Sequence, residues 1–395
     1  LSLISRASIS EILKRKDELN QLRAYKFDIG FSEQLDLCGV GMIRYLGIPH
    51  HIWISSTPIM EAVSYNLGVP TPLSYVPVVE ESNLSCRMSF MERAYNMYLY
   101  VLVFLLILEK FTNIVQTSNP RHANFSTSLL VPFLSFDEFT EDVNRPILHK
   151  TIYIGGLGVS ESSKPLQEPF SKMLLKGKKG VVLFSLGTMV PSSMLLDSTK
   201  EDLFKGNKMA TDIIGINSDS GADIAISTLF AYFDDYHFIM KVDENDRKSS
   251  QLAENIPNVD LKYGGLKASK IFEFDRKPEW HSPPMESVAL LKFKASHPRL
   301  RLFVMHGGFY GMLEAAIRGV PLLAIPFFGD QFRNARSAEI RGIGLSLQKY
   351  EMNYEKLVAA ISELLNNDKY RNAAKRYTME LILAPSLKGS ILPPM

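Results

Sequence analysis

The second half of the chain alternates short apolar runs with segments whose apolar residues recur every three to four positions. The apolar runs end in turn residues and predict buried strands at 180–185, 236–241, 301–305 and 320–325. The periodic segments predict helices at 225–233, 309–318, 330–341 and 354–366. Short buried strands that alternate with helices are typical of an α/β fold, in which helices cover a parallel sheet.

The first half carries the same pattern more weakly. Strand patterns at 27–31 and 51–55 flank a helical pattern at 37–46. Two such α/β domains, facing each other, would bind ligands in a cleft at the carboxyl ends of their strands. The pattern changes near residue 150, where proline-punctuated chain gives way to regular alternation. We therefore predict one domain at 1–150 and a second at 151–395.

The longest apolar run, at 97–108, has three interpretations. Its twelve residues would make a helix of about 18 Å, shorter than the roughly 30 Å of a bilayer core. The length favours a buried core helix, and the alternatives are a helix that lies on a membrane surface and a membrane span. Residues 97–108 are therefore a candidate for membrane contact, although neither a signal peptide nor a clear transmembrane span is visible in the sequence.

Composition narrows the class of protein. Of the 395 residues, 46% are hydrophobic and 22% are charged, which excludes collagen-like, disordered and polytopic membrane classes. The net charge of +2 gives nucleic acid no strongly basic surface, so we expect no nucleic-acid partner. Two cysteines form no metal cage, and Gly39-Val40-Gly41 lacks the third glycine of a dinucleotide fingerprint. We expect neither a metal nor a bound cofactor.

The most informative stretch is His306-Gly307-Gly308, which follows a predicted strand and opens a predicted helix. The glycines allow a tight turn, and the helix N-terminus offers N–H groups and a positive dipole end to a phosphate. His306 can donate a further hydrogen bond, and Glu314 lies where it can accept hydrogen bonds from a ribose diol. A His-Gly-Gly turn alone is more often structural, but together with a diol acceptor it suits a nucleotide.

A second loop adds a pair of polar residues. The predicted strand at 320–325 is followed by Pro326, and the loop that follows delivers Asp330 and Gln331. A carboxylate beside an amide is suited to binding sugar hydroxyls. An Asp-Gln pair that opens a helix is, by itself, more often an N-cap.

Together these motifs resemble the donor signature of the UDP-glycosyltransferase family. The order and spacing match at His306-Gly307-Gly308, Glu314, Gly319-Val320-Pro321, Pro326, Asp330-Gln331 and Asn334. The run 184–188 resembles the second phosphate-side loop of the family, and the resemblance extends from about residue 27 to about residue 380. It is strongest to the animal membrane-bound branch, the glucuronosyl- and glucosyltransferases of detoxification.

The resemblance implies a GT-B fold, in which two facing Rossmann-like domains have parallel sheets. The N-terminal domain would bind a small lipophilic acceptor, and the C-terminal domain would bind a UDP-sugar as co-substrate. The implied reaction is inverting transfer of a glucuronosyl or glucosyl group to an acceptor hydroxyl. The implied location is the lumenal side of the endoplasmic reticulum membrane.

The resemblance also assigns roles to individual residues. His306 would bind the α-phosphate, and the backbone of the Tyr310-Gly311 turn would bind the β-phosphate. Glu314 would hold the ribose, and Asp330 with Gln331 would hold the sugar. The remaining UDP-sugar-binding residues that it implies are Ser185, Gly187 and Thr188 at the phosphates, Gly307 and Gly308 in the turn, and Trp280 on the uracil ring.

Two of these assignments concern residues with other plausible roles. Trp280 is placed as the uracil-stacking tryptophan, and its alternative is a half-buried structural anchor. Glu33 would orient the catalytic histidine that takes the acceptor proton, and its alternative is a solvated strand end. The histidine itself lies upstream in the family pattern, and we expect it to be absent from this chain.

The chain also departs from the family pattern. The five residues after Trp280 contain no glutamine, and extra residues fall within 205–222 and 282–295. We expect an incomplete N-terminal domain and an early C-terminal end, as in an incomplete or mis-spliced gene product. The alternative to an active enzyme is a non-catalytic protein or fragment that binds UDP-sugar.

Overall fold

The computed structural model describes residues 14–33, 37–55, 57–117, 131–134, 145–147, 151–153, 168–187, 190–205, 229–263 and 298–388. The chain divides into two compact units, Leu1–Gly158 and Val159–Met395. The boundary that we predicted from the sequence, after residue 150, lies shortly before this division.

The first unit contains a sheet of four parallel strands in the order β1-β2-β3-β4. Its strands are β1 (Ile29–Glu33), β2 (His50–Ser55), β3 (Val131–Leu134) and β4 (Ile152–Tyr153). Its helices are α1 (Lys16–Ala24), α2 (Leu37–Leu46), α3 (Glu61–Leu67) and α4 (Phe90–Thr117). A buried hydrogen bond of 2.6 Å joins Ser32 Oγ on β1 to His51 Nε2 on β2.

The apolar run at 97–108 lies within α4, which is much longer than the run. One side of α4 is held to its own unit by Leu99 and by Asn96, whose Nδ2 donates to the carbonyl oxygens of Leu73 and Val76. The other side leaves large apolar side chains exposed, namely Met97, Tyr98, Val101, Leu102 and Leu105. Over residues 97–105, the core-helix interpretation therefore holds for the buried side of α4 and not for the exposed side. Within the described part of the chain, no helix is both long and apolar enough to cross a membrane.

The second unit contains a sheet of six parallel strands in the order β10-β9-β8-β5-β6-β7. Its strands are β5 (Gly180–Ser185), β6 (Tyr236–Val242), β7 (Val259–Tyr263), β8 (Leu300–Met305), β9 (Leu322–Ala324) and β10 (Gly344–Ser346). Counted from β5, the order from one edge to the other is third, second, first, fourth, fifth, sixth. This is the strand order of the Rossmann fold.

Eight helices accompany this sheet among the described residues. They are α5 (Phe170–Met173), α6 (Asp197–Lys205), α7 (Leu229–Tyr232), α8 (Arg247–Ala253), α9 (Phe309–Ile317), α10 (Gln331–Ile340), α11 (Tyr354–Asn366) and α12 (Asp368–Lys388). The four predicted strands and three of the predicted helices, at 309–318, 330–341 and 354–366, agree with these bounds to within about two residues. The fourth helix was predicted at 225–233. The structure describes this segment from residue 229, and Leu229–Tyr232 form α7.

The core of the second unit forms between the sheet and its helices. Strand β5 is buried along its whole length, as its continuous apolar sequence predicts. Helix α11 places Leu357, Ile361 and Leu364 in the core, and their spacing of three and four residues puts them on one face. The sheet is thus fixed by apolar packing, and the polar residues at its carboxyl ends are left for other roles.

Candidate functional site

The strand order of the second unit reverses between β5 and β8. Ser185, the last residue of β5, is in register with Met305, the last residue of β8. The loops after these two strands therefore begin side by side at the carboxyl edge of the sheet. In open parallel sheets, ligands bind in the crevice at such a switch point. The predicted phosphate-side loop and the His306 turn are the two loops that meet here.

The turn after β8 requires its two glycines. Gly307 has a φ of +87°, and a Cβ atom built on it would lie 2.8 Å from the backbone oxygen of Gln331. A Cβ atom on Gly308 would lie 2.5 Å from Nε2 of His306. The first glycine thus serves the backbone conformation and its close packing. The second leaves room for the imidazole ring of His306.

The helix that follows the turn presents its N-terminus to the same edge. The first hydrogen bond within α9 runs from the N–H of Met312 to the carbonyl oxygen of Gly308, over 3.1 Å. Tyr310 and Gly311 therefore belong to the first turn of α9, in agreement with the helix that the sequence predicts from residue 309. Backbone N–H groups in a first helical turn have no acceptor within the helix, so these two can still donate to an anion.

His306 is electrically neutral near pH 7. Burial, followed by the positive charge of Lys241, lowers the pKa of its imidazole from 6.5 to about 4. The contribution to phosphate binding that the sequence predicts for His306 would therefore be a hydrogen bond from a neutral ring, and not a charge.

Lys241 supplies a positive charge near this turn. It lies on β6, and its Nζ donates a hydrogen bond to the carbonyl oxygen of Gly187, 3.0 Å away. Lys241 is not among the site residues predicted from the sequence, although it directly follows the apolar residues Phe238, Ile239 and Met240 of a predicted strand. A charged residue at the carboxyl end of a buried parallel strand is the signal that could have identified it.

Glu314 lies on α9 and is only 3% exposed. Burial raises the pKa of its carboxyl group to about 9, and the opposing effect of Arg318 is smaller. Among the described residues, no donor or acceptor makes a hydrogen bond with Glu314 Oε2. A buried polar atom in this condition is uncommon in native proteins, and a hydroxyl of a bound ligand would satisfy it.

The loop after β9 is shaped by its own side chains. Gln331 is buried, and its Oε1 accepts hydrogen bonds from the N–H groups of Phe327 at 2.9 Å and Phe328 at 3.3 Å. Its amide nitrogen is the group that a role in sugar binding would use. Asp330 is the N-cap residue of α10, but its side chain makes no capping hydrogen bond. Its Oδ2 instead accepts from Nδ2 of Asn334 at 2.8 Å.

The described structure does not place the remaining predicted site residues beside the loops after β5, β8 and β9. Thr188 and Trp280 lie outside the described residues, as do both extra segments apart from Lys205, the last residue of α6. Glu33 belongs to the first unit, where it ends β1 and its backbone oxygen accepts a hydrogen bond of 3.3 Å from Trp53 Nε1. The assignments of Glu33, Thr188 and Trp280 stay predictions.

A comparison with known protein families shows to which family the chain belongs. The sequence profile described as "UDP-glucoronosyl and UDP-glucosyl transferase" matches residues 1–197 and 288–380. The chain belongs to this family. The unmatched interval, 198–287, contains Trp280, the whole extra segment at 205–222 and the first part of the extra segment at 282–295.

Curated members of the UDP-glucuronosyl and UDP-glucosyl transferase family align with nearly the whole chain. The Caenorhabditis elegans protein ugt-48 is 32% identical over 379 residues, which cover 93% of this chain and 62% of that protein. UDP-glucuronosyltransferase 1A4 of Oryctolagus cuniculus is 28% identical over 389 residues, which cover 95% of this chain and 61% of that protein. The chain thus spans a little under two thirds of the length of these relatives.

Solved structures agree on the fold of this family member. The glycotransferase of kitacinnamycin has a TM-score of 0.54 at 20% identity, over 95% of this chain and 80% of that one. The spinosyn rhamnosyltransferase SpnG, complexed with thymidine diphosphate, has a TM-score of 0.52 at 13% identity, over 96% of this chain and 76% of that one. The fold is GT-B, as the resemblance implied.

Proposed function

We propose that the chain is part of an inverting UDP-glycosyltransferase. It transfers a glucuronosyl or glucosyl group from a UDP-sugar to a hydroxyl of a small lipophilic acceptor. The observation that carries the proposal is a turn at the switch point of the second sheet that can accept an anion, followed on the same helix by the buried carboxyl group of Glu314. Membership of the family supports the same reaction.

The proposed donor site binds the UDP-sugar through groups from the loops after β8 and β9, from helix α9 and from strand β6. The diphosphate accepts hydrogen bonds from His306 and from the first-turn N–H groups of α9, and Lys241 and the helix dipole offset its negative charge. Glu314 binds the ribose hydroxyls. Asp330 and the amide nitrogen of Gln331 bind the sugar. No cofactor takes part in the proposal, because the UDP-sugar is itself the second substrate.

In the proposed reaction, the acceptor oxygen attacks the anomeric carbon as its proton passes to a histidine base. The bond between the anomeric carbon and the phosphate oxygen breaks, and UDP leaves with the electron pair. Neutral and charged donors around the diphosphate stabilise the negative charge that develops on UDP. Glu33, at the carboxyl end of β1, is the residue that we assign to the orientation of this base.

The test of the proposal is binding followed by turnover. UDP should raise the melting temperature of the wild-type chain, because a ligand that binds only the folded state stabilises it. Incubation with UDP-glucuronic acid or UDP-glucose and a phenolic acceptor then tests turnover, and release of UDP would show that the reaction does not require the upstream histidine that we expect this chain to lack. Binding without release would favour the alternative of a non-catalytic UDP-sugar-binding protein. Absence of binding to UDP and to both UDP-sugars would overturn the donor site.

The acceptor side of the proposal includes contact with a membrane. The exposed apolar side of α4 is suited to lying on a bilayer surface, and lipophilic acceptors concentrate there. The corresponding location is the lumenal side of the endoplasmic reticulum membrane, as the family resemblance implies. Flotation with phosphatidylcholine vesicles tests this contact. The double variant Leu102→Lys/Leu105→Lys should float less than the wild-type chain, whereas Leu175→Lys, at an exposed leucine of the second unit, should float equally.

A further inference from the structure

Asn334 joins two loops of the proposed donor site. It lies near the start of α10, and only 2% of it is exposed. Its Nδ2 atom donates one hydrogen bond to the carbonyl oxygen of Gly307, 3.0 Å away, and another to Oδ2 of Asp330, 2.8 Å away. Both neighbouring atoms are acceptors, so the atom facing them must be the amide nitrogen. Both hydrogen bonds donated by this amide group therefore link the loop after β8 to the loop after β9.

The bond to Gly307 sets the direction of a peptide group in the phosphate turn. The peptide bond between Gly307 and Gly308 is trans. Because the C=O and N–H groups of a trans peptide point in opposite directions, the N–H of Gly308 is turned away from Asn334. A carbonyl oxygen would repel a phosphate, and Asn334 keeps this one turned toward α10. The turn consequently offers an N–H donor on its other side.

The bond to Asp330 sets the direction of a carboxylate. The backbone N–H of Asn334 also donates to the carbonyl oxygen of Asp330, over 2.9 Å, so both the backbone and the side chain of Asp330 are tied to the same residue. The carboxylate is not used as a helix cap. Asn334 therefore helps to orient this carboxylate and links it to the phosphate turn.

We propose that Asn334 is a positioning residue, which holds the phosphate-binding turn and the sugar-binding carboxylate at a fixed separation. The two ends of a UDP-sugar then bind as one unit, and the gain in affinity from the sugar depends on Asn334. This inference rests on the proposed function, because it concerns the same site. Asn334 acts through Gly307 and Asp330, and not through contact with the ligand.

The decisive variant is Asn334→Asp, which keeps the size of the side chain and removes both donors. Each of the two hydrogen bonds becomes a contact between oxygen atoms. We expect the affinity for a UDP-sugar to fall by at least about tenfold, and the affinity for UDP to fall by less. The ratio of the two dissociation constants, measured by calorimetry with UDP and with the UDP-sugar that binds more tightly, should move toward one. A ratio equal to that of the wild-type chain would overturn the proposal.

The chain offers a matched control in Asn258. Its Nδ2 also donates to backbone oxygens, those of Phe230, Phe233 and Tyr236 at 2.8, 3.3 and 3.0 Å, but it lies at the other end of the strands. Asn258→Asp should lower the melting temperature and leave both dissociation constants of the folded protein unchanged. Asn334→Ser, which retains a single hydroxyl donor, should give a ratio between those of the wild-type chain and Asn334→Asp. A serine variant with the wild-type ratio would count against the positioning role.

Hydrogen exchange of the free protein separates this inference from the proposed function. Backbone amides at 306–311 and 327–331 should both exchange faster in Asn334→Asp than in the wild-type chain, and neither segment should respond to Asn258→Asp. Unchanged exchange in both segments would refute the positioning role whatever the protein binds. A wild-type chain that binds no UDP, with exchange that behaves as expected, would refute the proposed function alone.

Discussion

Lys241 Nζ and the carbonyl oxygen of Gly187 lie 3.0 Å apart, and their hydrogen bond ties the end of β6 to the loop after β5. The same ammonium group is close enough to His306 to lower the pKa of its imidazole. A positive charge is therefore held beside two loops that the proposed diphosphate would contact. The rest of the proposed phosphate site consists of neutral donors.

Replacement of Lys241 by methionine should weaken UDP binding by about 1–2 kcal/mol, because a partly buried charge near a phosphate is lost. Calorimetry at two ionic strengths would measure the loss, which should shrink as salt screens the wild-type interaction. Lys262→Met is the matched control, since Lys262 is the register partner of Lys241 on β7, one strand farther from the switch point. Equal losses in both variants would assign the effect to net charge and not to position.

Replacement of Glu314 by alanine should weaken UDP binding by about 1–3 kcal/mol through the loss of hydrogen bonds to the ribose. A comparison of UDP with 2′-deoxy-UDP localises the effect. The wild-type chain should bind UDP more tightly than the deoxy compound, and in Glu314→Ala this preference should largely disappear. An unchanged affinity for UDP would remove Glu314 from the site.

The stability of the chain should also depend on pH through Glu314. An unfolded glutamate has a pKa near 4.5, whereas burial raises the pKa of Glu314 to about 9 in the folded state. Between these pH values the folded state holds the extra proton, so the free energy of unfolding falls as pH rises, by at most about 1.4 kcal/mol per pH unit.

The variant Glu314→Gln removes this titration. Urea unfolding of the two chains between pH 5 and 9, in steps of about one unit, should show a flatter pH profile for the variant. Glu254→Gln, at the exposed end of α8, should keep the wild-type slope. Parallel profiles for Glu314→Gln and the wild-type chain would contradict the pKa assigned to Glu314.

Replacement of each turn glycine by alanine should have a different main effect, on stability at Gly307 and on UDP binding at Gly308. Gly307→Ala places a side chain at a φ of +87° and against the backbone of Gln331, so we expect a loss of about 1–3 kcal/mol in the free energy of unfolding. Gly308→Ala meets only the ring of His306, which can rotate away. We expect it to weaken UDP binding with a smaller loss of stability. The reverse pattern in denaturation and binding experiments would contradict the geometry of the turn.

The sequence predicted most of the second unit because its signals are local. Continuous apolar runs identify buried strands, and helix α11 has apolar residues at a regular spacing. Strand β7 was missed because its pattern is mixed, with Asp260 and Lys262 among its five residues. It lies at an edge of the sheet, where burial imposes less on the sequence. The length of helix α4 was underestimated, because charged and polar residues flank its apolar stretch on both sides.

The sequence predicted individual residues of the candidate site, but it did not predict the hydrogen bonds that link them. His306, Glu314 and Asp330 are recognisable by type and spacing, whereas the links made by Asn334 and Lys241 join segments far apart in the chain. Such contacts depend on strand order, which no local pattern specifies. The conversion of Glu314 into a neutral acid likewise depends on how deeply α9 is buried.

The side-chain oxygen Oε1 of Gln331 accepts hydrogen bonds from two successive backbone N–H groups of its own loop, those of Phe327 and Phe328. In the proposed site, one amide group therefore both recognises the sugar and maintains the shape of the loop. An engineer who exchanges Gln331 to change the donor sugar alters the scaffold at the same time. Glutamate would keep the acceptor and lose the donor, and histidine would keep neither in place. Changes of donor preference are thus more easily reached through neighbouring positions such as Phe328, whose side chain is exposed.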